Sequence, residues 1–510
     1  MSDHHMPLDD AMPGRRMLAR WVVRGTLTLE TAMHLGGEAT GRVDMPVLRD
    51  PRDGKPLLPG TTFAGALRNA LADRLAGYGT EEPQEVSALF GGARGDDDGL
   101  QSPLIVFDEL GELPLAHGIE IRDGVAISPD SGTAEDHKKY DYEVLPAGTT
   151  FPVRVDLLVP AEGLDPGRKP PPEKSLLAAL AAALAAFSHG QNGFGAKRSR
   201  GLGRVSATWA AKRFDLTSAG GWMEWTLSDH SEPVPASPAQ SCIRDVLDAA
   251  APDDLKPLSL LDDARKRVVI DLNLKVEHDI LVRSPGTEPG VPDVSHLSSG
   301  GASILPGTSL AGVMRAHAVR IARLVRDGKN DAERWIDRLF GPRFKGKRPL
   351  PGLEPRASRL RVGEAALDAS QPQRQTRVAI DRFTQGVVDT ALFDEQTEVG
   401  GRATLRVELR DPRDGELGLV LLVLKDLLDG ALPVGGTSNI GRGVLTGSAT
   451  VTFHDGATKP PRTTKLEPGR PPSGEAASEI AEAVRRFHDA SPLSDDEGPA
   501  LNPAETGDTA

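Results

Sequence analysis

The chain holds a single cysteine, Cys242, among 510 residues, so it forms no internal bridge, and a disulfide framework or a cysteine zinc cluster is excluded. Site chemistry must use oxygen and nitrogen donors. No apolar run reaches bilayer length: the longest, residues 176–187, is mostly alanine and too short to span. Residues 1–16 are polar and lack the apolar centre of a secretory signal. Together these absences predict a cytoplasmic protein without a membrane partner. An excess of basic charge is missing as well. The formal net charge of −13 argues against a simple nucleic-acid binder, whose footprint is usually basic overall. The acids gather in residues 81–85, 96–98, 245–263 and 489–497, whereas arginine and lysine concentrate in glycine-rich loops.

What is present is a pattern that occurs twice. A polar loop with one acid, Asp44, runs into a Pro59-Gly60 turn and then a helix, with Phe63, Leu67, Leu71 and Leu75 on one face. Thr61 or Thr62 is expected to cap that helix, and a capped helix mouth beside a basic loop suits a phosphate chain. Downstream, residues 306–315 copy residues 59–68 with four substitutions, so Thr308, Ser309 and Arg315 stand where Thr61, Thr62 and Arg68 stand. Other landmarks recur in the same order: Leu89-Phe90-Gly91 as Leu339-Phe340-Gly341, Tyr140-Asp141 as Phe393-Asp394, and one glycine-rich loop as another. The offset is 306 − 59 = 247 for the turn and 441 − 201 = 240 for the loop. Such constancy means tandem domains.

The length fits two cores plus linkers. The expected organisation is a first domain at 17–210, a linker at 211–262 rich in Ser, Pro, Ala and Asp, a second domain at 263–455, and a mostly disordered tail at 456–510, with residues 476–487 able to form a short helix. Alternating segments predict strands at 21–29, 102–108, 121–127, 140–144, 151–159 and 268–276, and helical spacing predicts helices at 173–187, 310–324 and 419–428. The polar excursion 128–139 is expected to be an extended hairpin. The fold class is therefore α+β.

The first glycine-rich loop, residues 190–205, sets five glycines among four cations. Gly193, Gly195, Gly201 and Gly203 let backbone amides approach phosphates, and Lys197, Arg198, Arg200 and Arg204 supply charge. The second loop offers Gly436, Gly441 and Arg442. Neither matches Gly-x-x-x-x-Gly-Lys-Ser/Thr, and neither is placed as a dinucleotide fingerprint should be. His34 reads as a structural histidine. His278-Asp279 with His296 makes a weak metal set, and the metal ligands stay unassigned.

A strand ending in His34-Leu35-Gly36-Gly37, a loop with one acid, Pro-Gly-Thr-Thr-x-x-Gly-x-Leu-Arg, Leu-Phe-Gly and a terminal glycine-rich loop together resemble the RAMP superfamily, in particular the backbone subunits of type III CRISPR effector complexes. The chain looks like two such subunits fused. The resemblance implies modified ferredoxin-like (RRM-like) domains with inserted hairpins, stacked with other effector subunits along a CRISPR guide RNA. It also implies that the hairpin splays the duplex of guide and target RNA, and that the catalytic aspartate of target-cleaving members stands at Asp44. Asp293 takes the matching place, 13 residues before its turn against 15 for Asp44. Two departures stand out: the first glycine-rich loop is longer and more basic than usual, and the second domain has Ile280-Leu281-Val282-Arg283 where the first has His-Leu-Gly-Gly.

Cleaving RNA through its own 2′-hydroxyl requires in-line geometry, a base and compensation of phosphate charge. A loop carboxylate can act as base or can hold a hydrated Mg²⁺, which takes one or two carboxylates plus phosphate oxygens. Against this, a lone loop aspartate before Pro46 also serves as an ordinary turn cap. Three readings follow: an RNA-guided RNA endonuclease subunit using Asp44 and Asp293, a non-cleaving guide-RNA backbone, and a glycine-rich-loop enzyme acting on a small phosphorylated substrate.

Overall fold

A computed structural model describes residues 16–490 except 39–42, 80, 93–100, 116, 129–130, 162–169, 229–240, 260, 286–289, 327–330, 343, 346–347, 350–354 and 458. The acids at 96–98 and the last twenty residues, 491–510, lie outside the described residues.

Strict alternation makes β1 (Met17–Leu29) the centre of the first half. Ala19, Trp21, Val23, Leu27 and Leu29 all point to one face and are essentially unexposed. After it come α1 (Gly60–Ala76), α2 (Gln84–Phe90) and β2 (Leu104–Val106). The hairpin β3 (Glu120–Ile127) and β4 (Ala134–Val144) follows, then β5 (Thr150–Pro160), α3 (Glu173–Ala185) and β6 (Arg204–Asp215). The sheet order is β2-β5-β1-β6, with residues 189–193 at the edge, and β1 is antiparallel to both β5 and β6. Gly25 is required here because a Cβ would lie 2.5 Å from the Trp209 ring. The helices α1 and α3 cover the apolar face, and the alanines of α3 allow close packing.

Helix α4 (Ala219–Leu227) and helix α5 (Ile243–Ala250) lie between the halves. The second half then runs β7 (Lys266–Val276), α6 (Gly307–Val325), α7 (Ala332–Phe340), β8 (Leu360–Val362), hairpin β9 (Gln371–Ile380) and β10 (Val387–Val399), β11 (Arg402–Arg410), α8 (Glu416–Leu428) and β12 (Leu445–Asp455). Its sheet order, β8-β11-β7-β12, is the first sheet's order with each strand replaced by its counterpart. The repeat read from residue spacing is thus a repeat of topology.

The residues expected to be linker and tail carry ordered elements. Ile243, Val246 and Leu247 of α5 are buried in the first core. Beyond residue 455, β13 (Arg462–Leu466) pairs with β12, and α9 (Ala477–Asp489) buries Ile480 and Phe487 against the second core, with Phe487 edge-on to Trp335 at 5.3 Å. Composition hid these segments because each supplies only a few apolar residues, at helical spacing, to a face that the main core leaves open. The capping expectation is also corrected. Pro59 holds the N-cap position, Thr61 and Thr62 lie in the first turn, and Asp108 Oδ1 accepts the Gly60 N–H at 2.7 Å.

The halves meet through polar contacts. Arg122 of β3 forms a two-pronged bond to Glu364, at 2.7 and 3.1 Å, with both side chains 3% exposed. Gly300 N–H donates to Glu120, and the Ala147 N–H to Ser299. The first glycine-rich loop enters the mouth of α6. A Cβ on Gly307 would lie 2.3 Å from the Arg200 carbonyl, and a Cβ on Gly201 2.3 Å from the Glu364 nitrogen.

Candidate nucleic-acid interface

In each half the chain segment before the Pro-Gly turn runs parallel beside the second strand of the hairpin. Met45 bridges Tyr142 in the first half and Val294 pairs with Glu395 in the second. That register places the two predicted aspartates alike. Asp44 Oδ2 accepts the Asp141 N–H at 3.1 Å, and Asp293 Oδ2 accepts the Asp394 N–H at 2.9 Å. Both aspartates are exposed. In the first half the contact is reciprocal, since the Asp44 N–H donates to Asp141 Oδ1 at 2.7 Å. The loop is pinned further by Glu143, which accepts from the Val47 N–H and pairs with Arg49.

The sites differ in what surrounds the second carboxylate. Asp394 is tied to Arg374 at 2.5 Å and to the Thr376 hydroxyl, and these bonds hold its carboxyl below the usual range. Asp141 has its bond to the Asp44 amide instead. Lys197 lies 3.6 Å above the Tyr142 ring centroid and donates to the Tyr140 hydroxyl at 2.8 Å. Burial pushes the Tyr142 phenol up to about 12, so its ring is a neutral floor under the ammonium. Thr437 occupies the Lys197 position in the second half, with the same left-handed backbone.

The two glycine-rich loops share one conformation: Gly195, Gly201 and Gly203 have positive φ, as do Gly435, Gly441 and Gly443. Their environments differ. Arg198 is exposed, yet partial burial and Arg410 lower it, and Arg200 is lowered further, to about 10, by burial and the neighbouring Arg315. Arg204 donates to the Gly190 carbonyl, and its guanidinium is lowered by burial and by Arg406. Gly193 is buried against the Gly203 backbone. Arg442 is a correction to the expected phosphate contact. It is 3% exposed and committed to Asp279, Glu395 and Gln375, so it clamps the second loop to its hairpin. Gly436 backs onto Arg283, and Gly441 has open space around it.

Both helix-mouth arginines meet acids: Arg68 pairs with Glu82, and Arg315 pairs with Asp337 while donating to the Gly341 carbonyl. Thr61 is exposed, and Thr62, Thr308 and Ser309 lie in or beside the first helical turns. His34 is a buried structural residue bonded to the Glu143 carbonyl at 2.8 Å. His296 is likewise buried, and among the described residues no group of three His, Cys, Asp or Glu side chains is placed to hold a metal. Sequence reasoning missed the Asp141 and Asp394 partners. Their signal was the repeated aromatic-Asp landmark, but the contacts span 97 and 101 residues.

Two α+β units, each carrying a loop aspartate on a hairpin strand, a Pro-Gly helix mouth and a left-handed glycine loop, define a tandem-repeat protein of one domain type. The chain belongs to the RAMP superfamily, whose family model matches residues 26–206 and 273–446. It is similar to the CRISPR system Cms endoribonuclease Csm3 of Streptococcus thermophilus, with 33% identity over 76 residues, 13% of this chain and 34% of that protein. The Mycobacterium tuberculosis protein of the same name is 35% identical over 97 residues, covering 18% of this chain and 41% of its own. The chain thus spans about a third to two fifths of the length of these curated relatives. Among the described residues no helix is long and apolar enough to cross a membrane.

Proposed function

We propose that this chain is two fused backbone subunits of a type III CRISPR effector complex, which bind guide RNA and cleave complementary target RNA beside Asp44 and Asp293. Each half is then a ferredoxin-like domain: the four long-range strands run in the order second, third, first, fourth, with a helix after the first and the third. The observation that carries the reading is the joint between the halves. It sets one glycine loop against one helix mouth and leaves Thr61 beside the other mouth and Ile440 of the other loop, 55% exposed, for like subunits at either end. Heterologous contacts of this kind can repeat from one subunit to the next.

Arg198, which is exposed, and Lys197, held over the Tyr142 ring, are the phosphate contacts in this reading. The Asp44 carboxylate, held by the Asp141 amide, is positioned to orient or deprotonate a 2′-hydroxyl. The exposed Asp44 and Asp141 oxygens fit a hydrated Mg²⁺, which would supply charge compensation at the scissile phosphate. The test is to purify the chain from cells expressing the guide locus and its companion subunits. A discrete small RNA with one 5′ end should accompany it, and complementary RNA should be cut at fixed intervals. Recovery free of RNA, in a complex of normal composition, would contradict the reading.

A further inference from the structure

A cavity of about 320 Å³ opens in the seam between the halves, under the C-terminal half of α1. At about 30 Å³ per water it has room for roughly ten waters. The first half contributes Ala182, Ala185 and Ala186 of α3, whose short side chains leave the space, together with His189 and Arg74. The second half contributes the outward faces of β7, β11 and β12. There Val269 and Thr452 are the only uncharged side chains among arginines, acids and His454. The cavity meets α1 at Ala70 and Arg74 and not at Gly60, away from the mouth of that helix.

The wall carries five guanidinium groups and three carboxylates, with Asp73 reaching Arg410 at 3.4 Å, and the pairing leaves Arg74 and Arg267 without a carboxylate of their own. Asp263 binds Arg265 through both oxygens, at 2.7 and 2.6 Å. Asp271 binds Arg406 at 2.7 and 3.2 Å, and Glu408 takes Arg410 at 3.3 Å. Arg74 gives Nε and Nη2 to the Leu261 carbonyl, a neutral acceptor. Arg267 is only 15% exposed, approaches Asp263 no closer than 3.6 Å, and its buried Nε has no partner among the described residues. A buried cation that only shares another's carboxylate is costly to keep charged. The surroundings report the same excess. Burial, followed by Arg267, lowers His454, and burial, with Arg410 next, lowers Arg361 to about 10.

We propose that this seam cavity binds a phosphate dianion between Arg74 and Arg267, locking the two halves together. The shape and charge fit a phosphate group, either free or as part of a larger molecule, because planar guanidinium forks match its oxygens. Arg198 and Arg204 feel Arg410 and Arg406 of this wall, but the proposed ligands Arg74 and Arg267 are not among the guide contacts.

The experiment uses the full chain and inorganic phosphate, titrated at constant ionic strength against chloride and followed by calorimetry and thermal melting. One site per chain and a melting temperature that rises with phosphate are expected. Arg267→Gln should weaken binding by about tenfold or more while keeping the phosphate-free fold. Arg74→Gln should act likewise and replaces the first variant if that one does not fold. Adding RNA of guide length distinguishes the sources: displacement of phosphate identifies a backbone phosphate of RNA as the occupant, and simultaneous binding identifies a free one. No phosphate-specific heat or melting shift in the wild-type chain would overturn the proposal, as would unchanged affinity in both folded variants.

Discussion

Replacing Glu364 by alanine strands the Arg122 guanidinium inside the joint. Burial alone would lower Arg122, but Glu364 overrides that cost and raises it above its ordinary value. The substitution removes two charged hydrogen bonds, at 2.7 and 3.1 Å, between side chains each 3% exposed. Truncating one partner of such a pair costs about 3–5 kcal/mol. Glu120, 3.9 Å away, offers a partial substitute, so the lower end, about 3 kcal/mol, is expected. A chain of two cores does not unfold in one step, so the cost belongs in local opening at the joint, read by hydrogen exchange. The amides of Gly300 and Ala147, which donate across the joint to Glu120 and Ser299, should lose protection by about 100-fold, at 1.4 kcal/mol per factor of ten. Amides in the centre of β1 should change little. The paired variant Arg122→Met with Glu364→Leu should regain most of the loss, because apolar replacements of similar volume are often neutral or stabilising. Unchanged protection at Gly300 and Ala147 in Glu364→Ala would refute the view that this ion pair fastens the halves.

A pH effect should come from His296, whose Nδ1 accepts the Val282 N–H at 3.1 Å while Nε2 donates to the Ile304 carbonyl at 2.8 Å. Burial holds it below 6.5, so its contribution to the second half is full above the unfolded value near 6.5 and is lost as pH falls through the depressed folded value. Denaturation midpoints measured from pH 7.5 to pH 5 should fall accordingly, and His296→Gln should flatten that part of the curve. For RNA binding, Lys197→Ala and Arg198→Ala should each lower the slope of log K against log salt by about 1. Arg204→Ala, whose side chain is spent on the Gly190 carbonyl, should leave the slope unchanged in filter-binding assays.

Much of this architecture was legible because it is written twice. The Pro-Gly turns, the hairpin landmarks and the glycine loops recur at near-constant spacing, and a repeated local pattern needs no knowledge of distant contacts. The placement of Asp44 and Asp293 was legible for the same reason. What the sequence hid depends on contacts far apart along the chain. Asp108 caps α1 from 48 residues away, and Glu364 meets Arg122 across 242 residues. Arg200 and Arg204 looked like free loop cations because glycines surround them, yet both are half-buried beside arginines of the second half and Arg204 is bonded to the Gly190 carbonyl. Arg442 looked the same, and a buried partner set consumes it. Helix α9 was obscured by tail-like composition, although Ile480 and Phe487 share one of its faces.

Target-RNA cleavage by the assembled complex, measured with guide and Mg²⁺ for wild type, Asp44→Ala, Asp293→Ala and the double variant, tests the role of the two aspartates most directly. Both aspartates are exposed, so each substitution should cost no more than about 0.5 kcal/mol of stability and leave assembly and target binding intact. Each single variant is predicted to lose one distinct cut, and the double variant to lose both. Because Asp394 is neutralised by Arg374 and Asp141 is not so paired, the Asp44 cut should be the faster. Wild-type cutting at every position by a correctly assembled double variant would contradict the assignment of both aspartates.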